Sequence, residues 1–120
     1  MSNFCNIHFT DENGMTALHW ASENGHLETV MLLKEKGSDI HATNNNGMTA
    51  LHLASDNGHL ETVMFLNEQG SDIHATNNNG MTALHLASEN GHFEVVIYLV
   101  KQGSDVNAEC DGGDYDIDNI

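Results

Sequence analysis

The chain has 120 residues, enough for one small domain, and sets 18 Asp and Glu against 3 basic residues (Lys34, Lys36 and Lys101) for a net charge of −15. That balance excludes nucleic-acid backbones and anionic membranes as partners, because binding them requires basic side chains to neutralise phosphate. The longest apolar run, Val95 to Val100, is six residues, against the roughly 20 needed to span a bilayer. Met1 to Thr10 has neither the basic start nor the apolar stretch of a signal peptide. The chain is therefore expected to be soluble and intracellular, in the cytoplasm or a similar compartment.

Residues 1–9 open with Phe4, Ile7 and Phe9, apolar side chains expected to cover the face of whatever follows. From Thr10 the sequence repeats itself every 33 residues: NGMTALH ends at His19, His52 and His85, NGH at His26, His59 and His92, and GSD begins at Gly37, Gly70 and Gly103. Aligned as 10–42, 43–75 and 76–108, the first pair of units shares 26 of 33 residues and the second pair 24 of 33. Three copies of one unit are thereby established. In the middle copy Thr49 is the expected N-cap, its hydroxyl free to accept from an orphan amide. Ala50, Leu51, Leu53 and Ala54 follow, and Asn57-Gly58 ends this first helix, with glycine supplying the left-handed residue. A second helix is expected over His59 to Gln69, with Leu60, Val63, Met64 and Leu66 roughly at helical spacing, ended by Gly70. Ser71 to Thr76 is expected to be extended, and Asn79-Gly80 is a strong hairpin signal. Each apolar stripe is too small to stand alone and must be covered by its neighbours. Residues 109–120 are acidic; Ile117 falls in the register of Leu84, so Tyr115, Ile117 and Ile120 are expected to cap the last unit. The alternative is a segment of a longer array, and sequence alone leaves both open.

A unit carrying TALHxA, NGH(L/F)E and GSD(I/V)xA resembles the ankyrin repeat, whose usual signature is TPLHxA, over Thr10 to Ala108 in three full copies. Asn6–Phe9 matches Asp39–Ala42 as the end of a preceding unit, and Gly113 matches Gly80 as the loop glycine of a following one. The resemblance implies an all-α solenoid of stacked antiparallel helix pairs in an L-shape, with β-hairpin loops projecting sideways. Ala17, Ala50 and Ala83 stand where the family usually has Pro, the residue favoured at the first helical position for its preset φ. That loss is expected to cost about 0.4–1 kcal/mol per site. The family's paired Leu near the end of the second helix becomes Leu33-Lys34, Leu66-Asn67 and Leu99-Val100. Lys34 can snorkel, whereas Asn67 needs a partner or an exit to water. With three units and no evident polar cap, stability is expected to be modest.

The resemblance makes His19, His52 and His85 structural, bonding the loops that join neighbouring units. One His per unit at a stacking distance of about 8–10 Å is too far from the next for shared metal coordination. His26, His59 and His92 are expected at the start of the second helix, also structural. His41 and His74, replaced by Asn107 in the third unit, occupy a position resembling one that an asparaginyl hydroxylase modifies in some ankyrin repeats. Protonating all nine His would move the net charge from −15 to at most −6, so acid is expected to loosen the stack. The chain has no GxSxG, GxxxxGK(S/T) or HExxH and no reactive-Cys context, so no catalytic residue, cofactor or metal is expected. Asp114, Asp116 and Asp118 resemble the opening of an EF-hand loop, but Asn119 stands where that loop needs Gly, and an acidic cap is the stronger reading. Cys5 and Cys110, three units apart, are expected some 25–30 Å from each other. A disulfide needs Cα atoms within roughly 7 Å, so they are not expected to pair, which suits a reducing compartment.

In the family, partners are bound by the hairpin tips and the exposed side of the first helix. By register these positions are Thr10, Glu12, Asn13, Met15, Glu23 and Asn24 in the first unit. They are Thr43, Asn45, Asn46, Met48, Asp56 and Asn57 in the second, and Thr76, Asn78, Asn79, Met81, Glu89 and Asn90 in the third. Negative charge is spread evenly along the units, so the expected partner is another protein with a Lys- or Arg-rich surface, steered by long-range attraction. The expectation is a monomeric, non-enzymatic interaction module. A structural spacer without a partner of its own and a calcium- or pH-responsive acidic protein are the rival readings.

Overall fold

The computed structural model describes residues 7–103. The expectations for Phe4, Cys5, Asn107, Cys110, Gly113 and the acidic segment from Asp111 to Ile120 lie outside them. Six helices follow one another as three pairs: α1 (Ala17–Glu23) with α2 (Leu27–Glu35), α3 (Ala50–Asp56) with α4 (Leu60–Glu68), and α5 (Ala83–Glu89) with α6 (Phe93–Lys101). Partners within a pair pack together, α1 packs on α3 and α3 on α5, and the second helices make a thinner row of their own, α2 to α4 to α6. None of these helices is long and apolar enough to cross a membrane.

Each pair begins and ends where its sequence dictates. Thr16, Thr49 and Thr82 are extended N-caps whose side chains accept from the backbone N–H three residues on. At the far end, Gly25 and Gly58 take φ of 69° and 75°. Around Gly25 the His26 N–H donates to Ala21 and the Gly25 N–H to Ser22, the pattern that satisfies the last carbonyls of a helix. These two glycines have a second duty: a Cβ on Gly25 would lie 2.5 Å from Nδ1 of His59, and one on Gly58 2.5 Å from Nδ1 of His92. The next unit's imidazole needs that space.

Burial shows which side of a unit faces its neighbour. Ala17 and Thr29 are exposed, while their counterparts Ala50 and Ala83, Thr62 and Val95 are buried. Those positions look back toward the preceding unit. Leu18 and Leu51 are buried and Leu84 only half-buried, so that position looks forward. The core runs through every seam, with Val30, Leu51, Val63, Leu66, Val95 and Leu99 at 1% exposure or less. Fully burying each such aliphatic side chain contributes about 1.5–3 kcal/mol. Asn67 finds its partners across a seam, donating to Tyr98 Oη at 3.0 Å and Gln102 Oε1 at 3.2 Å.

Three local expectations change. Phe9 stands 73% exposed and does not itself cover the first unit, while Ile7 is half-buried beside Gly37. Phe9 holds the register of Ala42 and Ala75, sites sized for a methyl group, and its ring is directed into solvent. The segment from Ser71 is a turn and not extended: the Ala75 N–H donates to Asp72 C=O, and Asp72 Oδ1 accepts from the His74 N–H at 2.9 Å. A short acid side chain bonding its own backbone competes with extended structure. The projecting loops contain no regular strand among the described residues. Asn-Gly closes them as the last two residues of a four-residue turn, since Gly80 (φ 77°) donates to Asn77 C=O, and no described residue other than Gly has positive φ.

Candidate functional site

The loops are built from one side chain each. Oδ1 of Asp11, Asn44 and Asn77 accepts the amides two and four residues on, at 2.8–3.0 Å. Successive loops are then stitched together. The Asn45 N–H donates to Asn13 C=O and the Asn78 N–H to Asn46 C=O, each at 3.0 Å. The Asn45 and Asn78 side-chain amides donate to Glu12 C=O and Asn45 C=O at 3.0 and 2.9 Å. The outcome is a ladder running along the stack, rigid because each tip is anchored to the one before.

On this ladder Thr10, Glu12, Asn13, Thr43, Asn45, Asn46, Thr76, Asn78 and Asn79 are exposed. The methionines are set lower. Met15 is 7% exposed, Met48 and Met81 are half-buried, and the Met15 and Met48 sulfurs accept from the amides of Asn44 and Asn77 at 3.2 and 3.3 Å. A second row is formed at the other end of the first helices by Glu23, Asn24, Asp56, Asn57, Glu89 and Asn90. The Asn90 amide donates to both the carbonyl and the carboxylate of Asp56. Asn24 and Asn57 instead cap their own helices, donating to Trp20 C=O and Leu53 C=O at 2.9 Å. The structure thus brings each row together along the stack. The two rows stay apart, separated by a seven-residue helix, about 10 Å in length.

Histidines hold the frame beneath. The Thr16 N–H donates to His19 Nδ1 at 2.8 Å, which leaves the proton on Nε2 to donate to Ala42 C=O (3.0 Å) and Met48 C=O (3.1 Å). His52 repeats this with the Thr49 N–H and Ala75 C=O. His59 and His92 reach backward, each donating Nε2–H at 2.9 Å to a carbonyl at the end of the preceding first helix, Glu23 and Asp56. Burial pushes the His19 and His52 imidazoles below their ordinary value, against the opposing pull of the carbonyls they meet. His41 and His74 are exposed.

Trp20 is the residue that sequence reasoning passed over. It is 44% exposed and its Nε1–H donates to Asp11 Oδ2 at 3.0 Å. The signal was a break in the repeat: Leu53 and Leu86 hold this position in the later units, at 7% and 6% exposure, and Asn44 and Asn77 hold that of Asp11. Asp11 is kept below the usual carboxyl value chiefly by the Met15 amide, against partial desolvation, with the Asn13 amide and the indole adding to the effect.

Comparison with curated proteins gives no match. The family model for ankyrin repeats (three copies) matches residues 1–77 and 37–110. Stacked helix pairs, threonine-capped first helices and laterally projecting loops agree with that match throughout the described residues, and the chain belongs to the ankyrin-repeat family, whose members are generally protein–protein interaction modules.

Proposed function

We propose that this protein is a non-enzymatic interaction module that takes a Lys- or Arg-rich segment of another protein along its loop ladder and the adjoining side of its first helices. Its working state in this reading is a monomer inside the cell. The observation that carries the proposal is the ladder itself: exposed Asn and acid side chains on loop tips that are hydrogen-bonded to one another. Such a row loses little entropy on binding because it is already ordered. The surrounding charge of −15 favours a cationic occupant and gives its capture a salt dependence.

The test replaces Asn13, Asn46 and Asn79 with Arg together. These tips are exposed, and the change leaves the stitching amides of Asn45 and Asn78 in place. Calorimetric titration with an oligo-lysine peptide should show binding that weakens with salt and falls at least tenfold in the triple variant, whose fold is checked by circular dichroism. Equal affinity for the two proteins would remove the ladder from the reading.

A further inference from the structure

We propose that Trp20 and Asp11 form an anchoring subsite on this surface for one cationic side chain of the partner, with Arg preferred over Lys. The inference rests on the basic-partner reading above and locates where the contact is centred. The first two units differ at seven positions, and four of these, Asp11, Glu12, Trp20 and Glu23, lie on the loop and first helix; Glu23 only trades one acid for another, which leaves Asp11, Glu12 and Trp20 as the changes of chemistry there. Two neutral amides, Asn44 and Asn45 in the second unit, give way to two acids, and a buried Leu gives way to a half-exposed indole.

The chemistry of that corner is specific. In the second and third units the loop-base Asn spends its amide on the methionine sulfur of the unit before. Asp11 has no amide to donate, and its second oxygen takes the indole N–H instead. Two backbone amides and one indole thus hold the carboxylate in place, and Oδ2, with one of its two lone-pair sites used, can still accept from a guanidinium. Donating N–H to a carboxylate also enriches the indole ring in electron density, which strengthens the attraction of its face for a cation. A planar guanidinium can lie against the ring while its N–H groups reach the carboxylate, a geometry that a compact ammonium matches less well. Exposed Glu12 adds a second negative charge beside it.

Trp20 is the single tryptophan of the chain, so its fluorescence reports this corner alone. The full chain is titrated with oligo-arginine, oligo-lysine and a neutral Gly-Ser peptide, following Trp20 emission and, in parallel, binding heat. Three variants are compared. Trp20→Leu and Asp11→Asn install residues that the later units already carry, and Glu68→Gln removes one exposed acid on α4. The expected result is a saturable change in emission with oligo-arginine, smaller with oligo-lysine and absent with the neutral peptide. Affinity for oligo-arginine should fall about 2- to 5-fold in Trp20→Leu, fall again in Asp11→Asn, and hold in Glu68→Gln. Peptide binding by heat with unmoved Trp20 emission and unchanged affinity in Trp20→Leu overturns the subsite while the basic-partner reading stands. An equal loss in Asp11→Asn and Glu68→Gln, with Trp20→Leu unaffected, overturns it too, as charge without a site. No binding heat with either cationic peptide overturns the basic-partner reading and the subsite with it.

Discussion

His19 and His52 each join three stretches of backbone through one ring. Nδ1 accepts the N–H of the N-cap residue, the residue's own N–H is capped by the threonine oxygen, and Nε2–H donates to the loop that leads into the next unit. This arrangement requires the neutral ring, since a protonated Nδ1 would face the Thr16 or Thr49 N–H donor to donor. Burial lowers both folded-state values below the ordinary 6.5. Between the folded value and 6.5 the unfolded chain therefore binds more protons than the folded one. Stability from these two residues is complete above pH 6.5 and is lost progressively as pH falls below it. The urea midpoint should drop between pH 7.5 and 5.5, and the drop should be smaller in His52→Gln. Glutamine three residues after a threonine N-cap retains the cap but gives up the bond to Ala75, so this variant should also lose about 1–3 kcal/mol at pH 7.5. An unchanged pH slope in His52→Gln would place the acid sensitivity elsewhere.

At the scale of the element, the first helices were the most legible part of the sequence. TALH spells an N-cap and a helical start, and all three copies begin at their threonine as expected for Thr49; the histidine ring, expected only to bond the loops, also accepts from the N-cap backbone. The second helices were readable from their apolar spacing and terminal glycines. The loops were read less well because their form depends on side chains bonding backbone a few residues away: Asp72 bends a segment expected to be extended, and Asn77 sets a four-residue turn. The partner of Asn67 was beyond local reading, since Tyr98 and Gln102 lie 31 and 35 residues on. Missing prolines are a different matter. Ala17, Ala50 and Ala83 are the first residues of their helices, where proline costs no hydrogen bond. Ala17 is exposed and follows a threonine at ψ 173°, a conformation compatible with a following proline. Ala17→Pro should therefore raise stability by about 0.4–1 kcal/mol in urea denaturation; a loss would mean that the first turn of α1 departs from the φ that proline fixes.

The whole molecule is a line of near-equal joints. Each unit packs chiefly on the one before and the one after, and the same bonds recur at each seam: the histidine to the next loop, the second histidine to the preceding helix end, and the asparagine to the preceding loop. Repetition made the stacking order readable from 33-residue spacing alone. It also masked the proposed subsite, because a pattern that recurs in every unit directs attention away from positions where it breaks, Asp11 and Trp20 among them.

That line of joints has a mechanical meaning. A protein whose two ends are tied through one shared core resists a pull until it gives way at once, whereas here a load applied at the termini passes through the seams in series, and they can give way one at a time. Among the described residues the first and third units each pack on one neighbouring unit and the middle unit on two, so rupture is expected to begin at an outer unit and travel inward. Each unit that lets go frees 33 residues, on the order of 110 Å of slack. Stretched in an optical trap, the chain should lengthen in discrete steps of nearly equal size, as a ratchet pays out, and a single rip would show that the seams fail together.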